Sequence, residues 1–203
     1  MGGDDPYSSS KAAAELAINA WKNSFAYNSQ VFISSARAGN VIGGGDYAKD
    51  RIVPDIFRSL KENKVLNIRN PNSTRPWQHV LEPLWGYLLL AEKMNEDPSF
   101  SDAYNFGPEY SSNRTVQDVV DAFSKVVEIK YKVLTKDKLF KESKLLHLVS
   151  DKAKEALNWR PIWDFEKTIY KTASWYSKVQ KNLSDEFALC MDDLSEFIKD
   201  QNI

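Results

Sequence analysis

Apolar positions recur along the chain in two rhythms, and these predict the elements. After Pro6 a helical rhythm that includes Leu16, Ile18, Ala20 and Trp21 predicts a helix reaching about Phe25. Asp5 stands where a side chain accepts from free N–H groups, and Pro6 suits the first helical position. The run VFISSARAGNVIG (31–43) predicts one short buried strand feeding a glycine-rich turn. VPDIFRSLKEN predicts a helix with Pro54 near its start, VLNIR a strand, and EPLWGYLLLAEKM a helix with Pro83 in its first turn. AYNFG predicts a brief strand ended by Gly107 and Pro108. Thr115 is placed to cap a helix over VQDVVDAFSKVV, with Asp118 beside its free N–H groups. KYKVLT reads as a strand, and two or three further helices are predicted over 151–157, 165–178 and 185–199.

Strands and helices alternate in the first half, which indicates an α/β fold with parallel strands; the second half is mostly helical. The strands are few for a stable doubly wound sheet. There is no repeat and no low-complexity linker.

Size and charge narrow the function classes. With 203 residues the chain suffices for one domain, or a domain plus a small lobe. Its 27 basic and 28 acidic side chains give a formal charge of −1, which argues against nucleic acid as a partner. Cys190 is the one cysteine, so neither an internal disulfide nor a thiolate metal cluster is expected. His79 and His147 lack metal-ligand spacing, and no metal site is expected. No basic-then-apolar leader follows Met1, and the longest apolar run, LWGYLLLA, stops at Glu92. The expectation is a cytoplasmic soluble protein without a membrane partner.

The candidate chemistry sits at Tyr7 and Lys11, which share a face of the first helix at i and i+4. A free phenol is a poor base at neutral pH. A fixed ammonium within reach, and the positive end of a helix dipole, both favour a phenolate. A lysine's three donors can also hold the ribose hydroxyls of a cofactor. Ala12, Ala13 and Ala14 add a face without bulk. Taken alone, the same spacing describes a surface Tyr–Lys pair on an amphipathic helix.

Five stretches together change that balance: YSSSK before a helix, a strand ending ARAGNVIGGG, then RIVPDIFRSL, RPWQHVLEPLWGYLLLAEK and YNFGP. In this order they resemble the second half of an extended short-chain dehydrogenase/reductase acting on nucleotide-sugars, of the NAD-dependent epimerase/dehydratase kind. Within that superfamily, ARAGNVIGGGDYAKDRIVPDI and NIRNPNSTRPWQHVLEPLWGYLLLAEK are most similar to the CDP-glucose 4,6-dehydratases. SDKAKEALNWRPIWDF extends the resemblance to roughly residue 176.

The resemblance implies an incomplete Rossmann-type parallel sheet plus a small, mostly helical substrate lobe. It divides the chain into a dinucleotide-domain remnant (1–45), a nucleotide-sugar lobe (46–180) and a helical tail (181–203). It implies NAD as cofactor, a CDP-sugar as substrate and a homodimer in the intact family member. In the family's reaction the tyrosine takes the proton of the sugar's C4 hydroxyl as a hydride leaves C4, water is lost across C5 and C6, and the hydride returns to C6. Tyr7 carries over as that base, with Lys11 orienting tyrosine and cofactor. Asn40, Arg51, Arg75 and Asn105 carry over toward substrate, the two arginines because a guanidinium matches phosphate oxygens with two parallel bonds. Blander readings stand beside these: a left-handed turn for Asn40, a solvated charge for Arg51, and a hydrogen-bonded structural histidine at His79.

The departures are as informative. The chain holds no G-x-x-G-x-x-G turn for the NAD pyrophosphate, and Gly43–Gly45 lead into a charged segment, so they read as a substrate-side turn. The family's Thr-Asp-Glu or Thr-Asp-Lys constellation for the elimination is missing too, and Met1 resembles an interior methionine of the pattern. The expectation is a chain that starts mid-pattern and is inactive alone. Two other functions stay open: a non-catalytic nucleotide-sugar-binding or dimerising fragment, and an epimerase or reductase of the same superfamily.

Overall fold

The computed structural model describes residue 3 and residues 5–26, 29–134 and 146–201; Met1 and the last residue of the KYKVLT strand lie outside them. The first helix, α1 (Pro6–Trp21), begins as expected. The Asp5 carboxylate accepts from the backbone N–H of Tyr7 at 2.9 Å and of Ser8 at 3.0 Å, and Pro6 needs no acceptor. It runs on into one π-helical turn, Lys22–Ala26.

The 31–43 run is not one strand. It forms β1 (Ser35–Ala38) and β2 (Asn40–Ile42), broken at Gly39, and the halves pair with different partners. A Cβ on Gly39 would fall 2.6 Å from the carbonyl oxygen of Pro76, so only glycine lets the chain pass there and change partner. Next come α2 (Ile52–Lys61), β3 (Leu66–Ile68), β4 (Thr74–His79), α3 (Leu81–Glu96) and β5 (Ala103–Phe106). They are followed by β6 (Asn113–Thr115), α4 (Val116–Ser124) and β7 (Tyr131–Val133). The chain closes with α5 (Asp151–Ala156), α6 (Phe165–Gln180) and α7 (Glu186–Asp200). Thr115 and Asp118 cap α4 reciprocally, the pattern their spacing predicts.

Three small sheets result among the described residues: β1 parallel to β5, β3 parallel to β7, and β4 between parallel β2 and antiparallel β6. Parallel pairing agrees with the α/β expectation. β4 and β6 were not anticipated, because TRPWQH neither alternates nor lacks proline. Pro76 is accommodated in the pairing with β6, opposite Asn113.

Two apolar clusters hold these elements. The larger joins Ile42, Val53, Ile56, Phe57 and Trp77 to Val119, Phe123 and the inner faces of α6 and α7. The smaller packs Leu90, Tyr104, Phe106 and Trp159 between α3, β5 and α5. In contrast, α1 buries no residue, and Leu16, Trp21 and Phe25 beyond its end stay exposed.

Candidate active site

A cavity of about 840 Å³ opens where β2 and β3 end at their carboxyl termini, the usual place for ligands in open α/β sheets. Its walls come from four segments: residues 39–46 after Gly39, the 50–55 entry into α2, the 67–70 exit of β3, and Arg75 and Trp77 of β4. Tyr7 stands at its rim, 72% exposed.

Four of the six sequence-predicted residues therefore meet here: Tyr7, Asn40, Arg51 and Arg75. Lys11 lies one turn along α1, its Nζ 5.6 Å from the centre of the Tyr7 ring, so the pair shares a face as the spacing predicts. Asn105 stands apart, on β5. Its side chain accepts from Arg37 at 3.2 Å and donates to the carbonyl of Val149 at 3.0 Å, tying β1 and the 149 segment together. His79 is buried at the end of β4. Its Nδ1 accepts from the Leu81 N–H at 3.4 Å and its ring lies edge-on to Trp163 at 4.8 Å, a structural setting in accord with expectation. Burial holds its pKa down at about 3.

The cavity is rich in charge of both signs. Arg51 pairs with Asp46 at 3.1 Å and Arg69 with Asp50 at 2.8 Å, while Arg75 donates to its neighbouring carbonyl on Thr74 at 2.9 Å. Arg51 precedes α2 in extended conformation, so the free N–H end of that helix faces the same space. Three guanidiniums and a helix N-terminus suit an anionic ligand. Asn67, Asn70 and the indole of Trp77 add polar and flat apolar surface. Arg69, Asp46 and Asp50 escaped the sequence reading. Arg69 sits directly after VLNI, and its place at the carboxyl end of a strand was the available signal.

Toward a dinucleotide the fit is partial. Tyr7 and Lys11 present a phenol and an ammonium together on an open face, the donor set for a nicotinamide ribose. The densest glycine run does not cradle a pyrophosphate. A Cβ on Gly43 would fall 2.8 Å from Val80, and one on Gly44 2.1 Å from the Trp175 ring, so these glycines admit protein side chains. No group of His, Cys, Asp or Glu among the described residues is arranged to hold a metal ion, and no described helix is long and apolar enough to cross a membrane.

Comparison with known proteins agrees with this architecture. A CDP-glucose 4,6-dehydratase of Salmonella typhimurium is 44% identical over 186 residues, covering 87% of this chain and 51% of the relative. The chain thus spans about half the length of the curated relatives it matches. Among solved structures, a dTDP-glucose 4,6-dehydratase from Bacillus anthracis in complex with NAD superposes with a TM-score of 0.70 at 21% identity, over 89% of this chain and 55% of that one. A UDP-glucuronic acid 4-epimerase from Bacillus cereus, in complex with UDP-glucuronic acid and NAD, gives 0.73 at 16% identity, over 86% and 53%. The family model described as GDP-mannose 4,6 dehydratase matches residues 1–172, and with the Tyr7–Lys11 helix and the arginine-lined cavity falling inside that span, the chain belongs to this family.

Proposed function

We propose that this chain carries the catalytic helix and the substrate cavity of an NAD-dependent nucleotide-sugar 4,6-dehydratase whose substrate is CDP-glucose. One observation carries the reading: a single cavity gathers a rim tyrosine, Asn40 of β2 and three arginines, from the start of α2, the end of β3 and the start of β4. The 44% identity to a CDP-glucose 4,6-dehydratase supports cytidine over other nucleotides. In this reading residues 1–45 bring the Tyr7 helix, 46–180 the nucleotide-sugar lobe and 181–203 a helical tail.

Arg51, Arg69 and Arg75 hold the diphosphate, with Asp46 and Asp50 keeping the first two oriented until it arrives. The sugar then reaches toward the rim, where Tyr7 takes the proton of its C4 hydroxyl. Lys11, on the same helix face, orients that tyrosine and holds ribose hydroxyls. NAD, its ribose held by Tyr7 and Lys11, would supply the hydride acceptor for the oxidation and the hydride donor for the closing reduction. No motif of these 203 residues supplies a glycine-rich turn to grip the pyrophosphate, and the reading assigns none of them to the elimination of water. Asn105, in this scheme, acts near the nucleotide only through the 149 segment it holds.

The exposed apolar side chains of α1, Leu16 and Trp21, fit a surface that a second copy covers, so a homodimer is part of this reading, as is a cytoplasmic location. A second reading, a binding module without catalysis, is favoured by one fact: the cavity is built within this chain, whereas Tyr7 is largely solvated.

Calorimetry with CDP-glucose, UDP-glucose and dTDP-glucose tests the proposal. CDP-glucose should bind most tightly, and Arg75→Ala should weaken it about tenfold or more. Failure of all three to bind refutes the reading. With NAD added, the 203-residue chain should turn over no CDP-glucose; turnover by it alone overturns the division of labour.

A further inference from the structure

No residue beyond Val116 lines the cavity, yet the loop that forms one wall is held from the far end of the chain. Gly44 lies flat on the indole of Trp175, and Gly45 turns the backbone at φ +84°. The hydroxyl of Tyr176 donates to the carbonyl of Asp46, and its ring stacks on Phe57 of the main core at 4.3 Å. The Tyr47 ring meets that of Tyr176 edge-on at 6.1 Å, and the Tyr47 hydroxyl donates to the Glu186 carboxylate at 2.8 Å. Asp46, so held, accepts from the Ala48 N–H at 2.9 Å and from Arg51 at 3.1 Å.

Trp175, Tyr176 and Glu186 all lie past residue 172, where the family match ends. They are themselves well anchored. Trp175 and Tyr176 are buried, and α7 is fixed by Leu189 in the larger core, by Phe197 edge-on to Trp163 at 5.1 Å and by the Lys171–Asp193 pair to α6 at 3.0 Å. The opposite side of the loop has a separate hold: Arg58 of α2 donates to the carbonyls of Tyr47 and Ala48 at 3.0 and 3.2 Å. The loop is thus gripped between α2 and the C-terminal helices, with its two ligand-facing charges in between.

We propose that the C-terminal helices are a positioning element for the site. Trp175, Tyr176 and Glu186 fix residues 44–48 so that Asp46 and Arg51 face the cavity, and ligand affinity depends on that hold although none of the three touches the ligand. The inference deepens the nucleotide-sugar reading and rests on it for the identity of the ligand. Burial and the Glu186 acceptor raise the Tyr47 hydroxyl to about 12, so the bond persists throughout the working pH range.

Amide hydrogen exchange of the full chain and CDP-glucose calorimetry, run on the same variants, test it. Glu186→Ala and Tyr47→Phe should accelerate exchange at residues 46–50 about tenfold, leave β5 and α5 unchanged, and weaken CDP-glucose about fivefold. Glu186→Gln keeps an acceptor and should stay within about twofold of wild type in both readouts. Unchanged exchange at the loop overturns the proposal. So does faster exchange with unaltered affinity, or acceleration that spreads equally to β5 and α5. If CDP-glucose fails to bind even the wild type, the nucleotide reading falls, and the exchange arm decides the hold alone.

Discussion

At Gly44 a Cβ would stand 2.1–2.4 Å from three atoms of the Trp175 ring, a ring that is itself buried. Gly44→Ala should cost about 1–3 kcal/mol of stability, measured by urea unfolding, because neither the indole nor the loop has room to yield. An unchanged midpoint would mean the loop does not lie on the indole. Two buried titratable groups make a second residue-level test. Glu82 is fully buried, its carboxylate accepting from the N–H groups of Ile162 and Trp163, and burial raises its pKa from 4.5 to about 7. His79, three residues earlier, is lowered from 6.5 to about 3. Between pH 4.5 and 6.5 folding takes up a proton at Glu82, so stability falls as pH rises. Folding releases one from His79, so stability rises. Each slope is about 1.4 kcal/mol per pH unit and the two oppose. Wild-type stability should therefore be nearly flat across this window. Glu82→Gln should unmask a rise with pH and His79→Gln a fall; parallel profiles for all three proteins would refute the assignment. That His79 is structural was legible from its isolation among potential ligands. The role of Glu82 was not, since only the return of residues 162–163 to the start of α3 gives it partners.

At the scale of elements, boundaries carried by local chemistry were legible. Asp5 and Pro6 start α1, Thr115 and Asp118 start α4, and Asp185 caps α7 by accepting from Ala188 at 2.9 Å. Elements defined by a distant partner were not. β4 has a proline and no alternation, and exists because β2 and β6 flank it. The split at Gly39 follows from Pro76 in the facing strand. Gly39→Ala should accordingly disturb β2 and β4 together. Faster exchange at Val41 and Val80, whose N–H donates to the Ile42 carbonyl at 2.9 Å, with β3 unaffected, is the expected outcome. Equal effects in all three sheets would contradict it.

Across the whole molecule the packing is uneven. α6 buries seven residues and ties the larger core together, whereas α1 buries none. What holds α1 is polar: Glu15 takes a two-pronged bond from Arg37 at 2.6 and 2.7 Å and another from Ser35 at 2.9 Å, and Lys22 donates to the carbonyl of Ser101. The guanidinium of Arg37 accordingly keeps the Glu15 carboxyl below its ordinary value. Amides of α1 should exchange far faster than those of α6, and Arg37→Gln should speed α1 several-fold further without touching α6. Protection of α1 equal to that of α6 would show that another surface secures it. Helix caps, the parallel α/β class and the shared face of Tyr7 and Lys11 could be read along the chain, because each depends on backbone geometry within a few residues. The convergence of Arg51, Arg69 and Arg75 on one cavity, the place of Asn105 outside it, and the contacts of α6 and α7 with the 44–48 loop came from folding alone. Those relations join residues up to 139 positions apart, and nothing local in the chain encodes which distant surfaces will meet.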